Sequence, residues 1–217
     1  MSGNDNSSTR ILLVISSETE LNLLEETLGK PKSLGGGLYR PERFASVLEI
    51  LCPGPGIFTL IHRLTGVLRS QTYGLVLNAG ICGSFSEDNG PGALVNVTAD
   101  CFADFGAEDG QDFLKASSIG LLKPGIFPFE GDFLRSSPGK YHSSLKGLSQ
   151  TTAITVMRVT GSEETARLWQ ELYQPGVESM EGAGFFYVCR MENATFAQVR
   201  AVSNRAGKRD RASWDIP

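Results

Sequence analysis

The sequence has only two histidines, His62 and His142, and four cysteines, Cys52, Cys82, Cys101 and Cys189. No two cysteines form a C-x-x-C pair and neither histidine has ligand spacing. Nothing therefore points to a structural zinc site or a dithiol redox centre. The thiols read as reduced, which fits a cytoplasmic protein. No apolar run nears the ~20 residues of a membrane span. Residues 1–9 (MSGNDNSST) lack the basic and apolar segments of a signal peptide. Charge of one sign is not in excess either: 20 Lys and Arg face 24 Asp and Glu, a net charge of -4. That excludes a basic surface built for nucleic acid, and no like-charge run suggests a membrane surface. Internal repeats and interdomain linkers are also lacking.

Glycine is abundant instead, 25 residues of 217, against a usual share of ~7%. With 41% hydrophobic and 20% charged residues, the rest of the composition is that of a folded globular domain. The glycines therefore read as tight turns and close backbone approaches. The length fits one domain, at a prior of roughly 150 residues each. The expected organisation is a disordered tail over 1–9 and a single domain over 10–217.

Hydrophobic patterning predicts strands at 10–16, 46–52, 74–77, 93–98, 154–160 and 195–202. It predicts helices at 18–28, 57–69, 163–173 and 180–192. The triple glycine at 35–37 marks a loop, 100–150 reads as irregular, and 203–217 as a polar tail. Strands alternating with helices give an α/β sheet covered on both faces. In an open sheet of that kind the pocket lies outside the carboxyl ends of the strands, so the residues just after each strand matter most.

Glu20 follows the first strand. It can compensate a helix dipole, or it can serve as a general base or acid. In VESMEGA (177–183) two acids flank a methionine where an apolar helix begins. One could cap the helix. The pair also suits a sugar site, with a carboxylate for the hydroxyls and a soft thioether for the ring face. The stretch 78–84 (NAGICGS) reads as a glycine-rich turn that lets a ligand approach the backbone. It is not G-x-G-x-x-G and carries no acid at the right distance, so a dinucleotide site is not supported. Ser203-Asn204 ends the last strand, where Asn is an ordinary turn residue.

Together these pieces resemble the nucleoside phosphorylase/nucleosidase superfamily: VISSETELNLL, NAGICGSF, VESMEGAGFFYVC and VRAVSN. ADFGAEDG (103–110), SMEGAGFFYVC and the stretch from Ser203 are most similar to its futalosine hydrolase family. The resemblance implies a three-layer fold with a central mixed sheet flanked by helices. It implies hydrolysis of the N-glycosidic bond of futalosine to hypoxanthine and dehypoxanthine futalosine, a step of menaquinone biosynthesis, with no cofactor or metal. Glu20 and Asn204 would be catalytic. Ile81, Cys82, Gly83, Val159, Ser179, Met180 and Glu181 would hold the substrate.

Phosphorylases of this fold hold phosphate with arginines after the first and third strands and a serine in the glycine-rich turn. This chain has Ser16 to Glu20, Asn78 and Ile81 there, which favours water over phosphate. Relatives that cleave 5′-methylthioadenosine or S-adenosylhomocysteine carry Asp where Asn204 stands. The amide can donate to a 6-oxopurine, which favours hypoxanthine over adenine. The remaining alternatives are a methylthioadenosine nucleosidase, a purine nucleoside phosphorylase and a silent nucleoside-binding relative.

The strand predicted at 154–160 departs from the family at Met157 and Arg158, and Arg158 is expected to face solvent. The fold is expected to continue past Pro217 into a further helix. The resemblance also implies a homodimer or larger homo-oligomer. Phe102, Phe105, Phe127, Phe129 and Phe133 are candidates for the interface or for local core.

Overall fold

The apolar run after the tail forms β1 (Ile11–Ile15). Its two faces enter different cores. Leu12 and Val14 join one cluster with Leu60, Leu64, Phe185 and Phe186, while Leu13 and Ile15 join another with Leu21 and Ile50. Burial on both faces is why the run is apolar throughout rather than alternating. The computed structural model describes residues 10–123, 125–136 and 142–208. The tail expected at 1–9 and the end of the expected polar tail, 209–217, lie outside the described residues.

After β1 the expected helix at 18–28 divides into α1 (Glu18–Asn22) and α2 (Glu25–Leu28). The triple-glycine loop is the bend of a hairpin, β2 (Lys32–Gly35) with β3 (Leu38–Arg40). Gly35, Gly36 and Gly37 all have positive φ, which only glycine takes at little cost. Then come β4 (Leu48–Leu51) and α3 (Ile57–Ser70). β5 (Leu75–Ser84) corrects the expected turn at 78–84, because that stretch is the second half of one ten-residue strand. Its glycines serve side-chain approach rather than chain reversal. A Cβ on Gly80 would lie 2.6 Å from Arg200 Nη1, and one on Gly83 would lie 3.3 Å from Glu178 Cγ.

β6 (Leu94–Phe102) runs past its expected end at 98. The region expected to be irregular contains a separate hairpin, β7 (Gly106–Asp109) with β8 (Asp112–Lys115), and the short β9 (Leu134–Arg135). The strand expected at 154–160 is displaced. β10 spans Ser149–Thr155, and Met157, Arg158 and Val159 stand exposed in the loop beyond it. α4 (Glu163–Tyr173) has the expected bounds. β11 (Val177–Ser179) was not expected, and it precedes α5 (Gly182–Met191). β12 (Phe196–Arg205) extends three residues past its expected end, so Asn204 belongs to the strand.

The sheet order is β11-β10-β6-β12-β5-β1-β4-β3-β2, with β9 beside β6. It is mixed: β1, β5 and β12 run parallel, whereas β12 and β6 are antiparallel. β11 also pairs with β5 in the antiparallel sense. The sheet is therefore not simply open as expected, because five of its strands close into a ring of β5, β12, β6, β10 and β11. On β10 the neighbours Ala153 and Ile154 point into different cores, Ile154 towards Trp169 and Tyr173 of α4. Helices thus cover both faces, the three-layer arrangement expected. α3 and α5 touch closely, since a Cβ on Gly184 would lie 2.5 Å from Ile57 Cγ1.

All four cysteines are buried and unpaired. Among the described residues no helix is long and apolar enough to cross a membrane, and no His, Cys, Asp or Glu cluster could hold a metal. Of the five aromatic candidates, Phe102, Phe129 and Phe133 pack against the cores. Phe105 and Phe127 are exposed.

Candidate active site

A cleft of about 160 Å³ opens where β5, β10, β11 and β12 end, lined by Ile81, Cys82, Gly83, Val156, Val159, Glu178, Ser179, Met180, Glu181, Ser203 and Asn204. Eight of the nine residues expected from the sequence are in that wall. The ninth, Glu20, reaches it from behind. Its Oε1 accepts the backbone N–H of Ile81 at 3.0 Å. Its Oε2 accepts from the Ser17 hydroxyl at 2.7 Å, while Ser17 Oγ caps α1 by accepting the Glu20 N–H. The structural role weighed for Glu20 is thus present at the start of α1. The side chain belongs to a capping arrangement, and it presents a carboxylate at the edge of the pocket.

The two acids around Met180 separate in the same way. Glu178 is buried, and its carboxylate accepts from Thr160 N at 3.1 Å and from the Thr160 hydroxyl at 2.5 Å. Burial raises its pKa, against the lowering effect of those two hydrogen bonds. Glu181 stands at the N-cap of α5 but makes no capping hydrogen bond with its side chain. Its Oε1 accepts instead from Gly56 N at 3.0 Å. The carboxylate is thus held by the backbone amide that precedes α3.

Asn204 sits at a register shift in the pairing of β12 with β5, opposite Gly83. Its Nδ2 donates to Arg205 O at 2.8 Å, and its Oδ1 accepts from the Ser203 hydroxyl at 2.8 Å. Ser203 Oγ also lies 3.1 Å from Cys82 O, and its single proton serves one acceptor at a time. The amide is thus oriented from both sides, with one N–H left over.

The largest omission from the sequence reading is Arg200 of β12, which is 1% exposed. Its Nη1 donates to Ile81 O at 3.5 Å, and among the described residues its Nε and Nη2 have no partner. A Cβ on Gly80 would lie 2.6 Å from Arg200 Nη1 and 2.9 Å from Glu20 Oε1. The guanidinium and the carboxylate therefore converge over that glycine. The positions after the first and third strands carry no arginine, as read from the sequence, and this guanidinium comes instead from the last strand. The signal was in the sequence, since Gln198 and Arg200 interrupt an otherwise apolar strand (FAQVRAV).

Beneath the pocket Asp100 of β6 is fully buried. Its Oδ1 accepts from the Thr155 hydroxyl at 2.9 Å and its Oδ2 from Gln198 Nε2 at 3.2 Å. Burial pushes its pKa up to about 7, against the lowering effect of Gln198, Thr155 and the Arg200 charge. Arg158 is exposed, as expected, and lines a different cleft beside the β7–β8 hairpin.

Residues 60–216 match the Phosphorylase superfamily. This chain belongs to that superfamily. Its relatives there include the futalosine hydrolase of Streptomyces coelicolor, 34% identical over 69% of this chain and 61% of that protein. Another is the futalosine hydrolase of Acidothermus cellulolyticus, 31% identical over 81% of this chain and 71% of that protein. The match thus spans about three fifths to seven tenths of those relatives' own length. Among solved structures, a 5′-methylthioadenosine/S-adenosylhomocysteine nucleosidase of Helicobacter pylori superposes with TM-score 0.78. It is 18% identical, covering 95% of this chain and 90% of that one. The futalosine hydrolase of the same organism superposes with TM-score 0.77 at 16% identity, covering 95% and 89%. These two likenesses show the superfamily's three-layer fold with its central mixed sheet.

The raised pKa of Asp100 has a consequence for stability. Its folded value lies above the ordinary aspartate value of 3.8, so the folded protein binds the proton more tightly than the unfolded chain does. Stability from this group is therefore present below the unfolded value and lost as pH rises through the folded one, at about 7. Thermal melts of the wild type and Asp100→Asn across that interval should show the wild type losing ground steadily as pH rises. A difference between the two that stays constant with pH contradicts the assignment.

Proposed function

We propose that the protein hydrolyses the N-glycosidic bond of a purine nucleoside, futalosine, and releases hypoxanthine without phosphate. The observation that carries the reading is the convergence of Glu20 and Arg200 over Gly80, behind the same wall that presents Glu181, Met180 and Asn204. The chain's relationship to futalosine hydrolases supports the choice of substrate. As the family resemblance implies, the step belongs to menaquinone biosynthesis in the cytoplasm.

The purine lies against Asn204, with Val156 and Val159 beside it. The free N–H of the Asn204 amide donates to the 6-oxo group. Glu181 accepts the ribose hydroxyls with the oxygen that Gly56 leaves open. Met180 packs on the sugar, while Ser179, Ile81, Cys82 and Gly83 complete the wall. As the bond to N9 lengthens, positive charge develops on the ribose, and a carboxylate already in place stabilises it without reorganising. The electron pair of the broken bond leaves on the purine, where the Asn204 N–H steadies it until a proton is taken from solvent; Arg200 donates to the attacking water through its unpartnered nitrogens, and Glu20 takes the water's proton as it adds to C1′.

Phosphate is disfavoured in this reading because an added anion over Gly80 would face the Glu20 carboxylate. The second reading, a methylthioadenosine nucleosidase, is favoured by the fold likeness. The amide at Asn204 opposes it.

Purified protein should release hypoxanthine from futalosine in phosphate-free buffer and leave inosine and methylthioadenosine largely intact. Strict dependence on phosphate would sink the proposal. Glu20→Gln should keep its fold and lose about 10²–10⁴-fold in kcat; near-normal turnover removes Glu20 from the mechanism. Asn204→Asp should move preference from the 6-oxo towards the 6-amino purine by roughly 5- to 150-fold, the cost of mismatching a buried polar contact. Unchanged preference would mean that another group reads the base.

The cleft of about 160 Å³ is small beside the ~300–1,000 Å³ usual for small-molecule sites. In the proposed assembly a second copy of the chain covers its open side. Phe105, Leu121, Ile126 and Phe127 are exposed at 46%, 62%, 59% and 63% and suit an apolar contact of that kind. Light scattering should give at least twice the 23.4 kDa chain mass, and Phe127→Glu should lower it; a monomeric wild type contradicts this assembly.

A further inference from the structure

Besides Ser179 Oγ, which accepts the Gly182 N–H at 3.2 Å, the start of α5 is fixed from inside the sheet. Ala183 N donates to Thr155 Oγ1 at 2.7 Å, and the same hydroxyl donates to Asp100 Oδ1 at 2.9 Å. Asp100 Oδ2 accepts from Gln198 Nε2 at 3.2 Å. Asp100, Thr155, Ala183 and Gln198 are all at most 2% exposed, so no solvent competes for these bonds. The approach is close: a Cβ on Gly182 would lie 2.1 Å from Asp100 Oδ2 and 2.8 Å from Gln198 Nε2. The first helical position must therefore be a glycine, and the helix amino end is pressed against the carboxylate. That polarity is favourable, because the N-terminus of a ten-residue helix carries partial positive charge.

This cluster joins two walls of the pocket. On one side Ala183 lies two residues after Glu181 and three after Met180, so fixing the first turn of α5 fixes where those side chains emerge. On the other side Gln198 lies two residues before Arg200 along β12, on the same face of the strand. Gln198 also pairs in register with Asn78 of β5.

We infer that Asp100 is a positioning residue: through the Thr155 hydroxyl and Gln198 it locks the amino end of α5 to β12, and so holds Glu181 at a fixed place across from Arg200. Asp100 touches no substrate in this arrangement. It acts through the Thr155 hydroxyl on the ribose side and through Gln198 on the water side. The kinetic part of the inference rests on the reading of Glu181 as the carboxylate that grips ribose.

The test uses the full chain and four variants, Thr155→Val, Thr155→Ser, Asp100→Ala and Asp100→Asn, with two readouts. The first is amide hydrogen exchange of the peptide covering residues 179–186, which needs no substrate. Thr155→Val removes the hydroxyl at nearly constant shape, and exchange there should accelerate about tenfold, the scale of one lost buried hydrogen bond. Thr155→Ser keeps the hydroxyl and Asp100→Asn keeps an acceptor for it, so both should restore wild-type protection. Asp100→Ala should match Thr155→Val; if it does not fold, Thr155→Val alone decides.

The second readout is steady-state kinetics with futalosine. KM should rise about tenfold in Thr155→Val, with kcat changed less than threefold, and Thr155→Ser should reverse the rise. Unchanged exchange in folded Thr155→Val overturns the inference. Faster exchange with an unchanged KM overturns the link to the substrate. A general loss of melting temperature that leaves both readouts unmoved assigns Asp100 a purely structural role and also overturns it. Wild-type protein that releases no hypoxanthine sinks the futalosine reading instead, and the exchange result then decides the positioning by itself.

Discussion

A guanidinium that is 1% exposed is the constraint around which the middle of this sheet is arranged. Burying an unpaired charge costs several kcal/mol even after relaxation, so Arg200 requires negative charge and acceptors close by. Ile81 O supplies one acceptor. Glu20 approaches over Gly80, and Asp100 lies near enough for the Arg200 charge to oppose the rise in its pKa. Each approach depends on an absent side chain. A Cβ at Gly80 would overlap both Arg200 and Glu20, and one at Gly182 would overlap Asp100. Two of the glycines that enrich this sequence are therefore the space that polar groups occupy, and the compensation of one charge draws on α1, β5, β6 and β12.

That use of glycine also explains what the sequence hid. Glycine is ordinarily turn punctuation, so 78–84 reads as a turn, although it is the half of β5 that carries the pocket wall. β10 was displaced for the opposite reason. Residues 156–160 are apolar enough to look like a strand, whereas the first residues of β10, SQTT, are polar because that end of the strand is partly exposed. The helices were more legible. Their apolar stripes follow the helical period, and Ser162 caps α4 through its hydroxyl, which sets its start where the sequence places it.

The pocket wall was legible in its chemistry and not in its support. Glu181 and Met180 stand out at the start of an apolar helix, and Asn204 just beyond a predicted strand end. Asp100, Thr155 and Gln198 sit within strand interiors, where one-dimensional reading expects packing. Their contacts run from β6 to β10 and from β6 to β12, separations of 55 and 98 residues. No local signal encodes such pairs. The one available clue is charge and amide groups inside strands that are otherwise apolar, because a buried polar side chain must find its partners somewhere.

The comparison with solved structures shows how little of this architecture is spent on choosing a substrate. Proteins only 16% to 18% identical to this chain, named for two different nucleosides, share its fold with TM-scores of 0.77 and 0.78. The base-reading position is not under the constraint of the buried arginine. Asn204 bonds only with its neighbours Ser203 and Arg205 and takes no part in compensating Arg200. Exchanging its amide for an acid alters one donor at the pocket wall and leaves the approach of Glu20 and Arg200 over Gly80 untouched. In the proposed reaction the handling of water and the choice of purine are therefore physically separable. The first is tied to the fold through a buried charge, and the second rests on a single side chain at the end of the last strand.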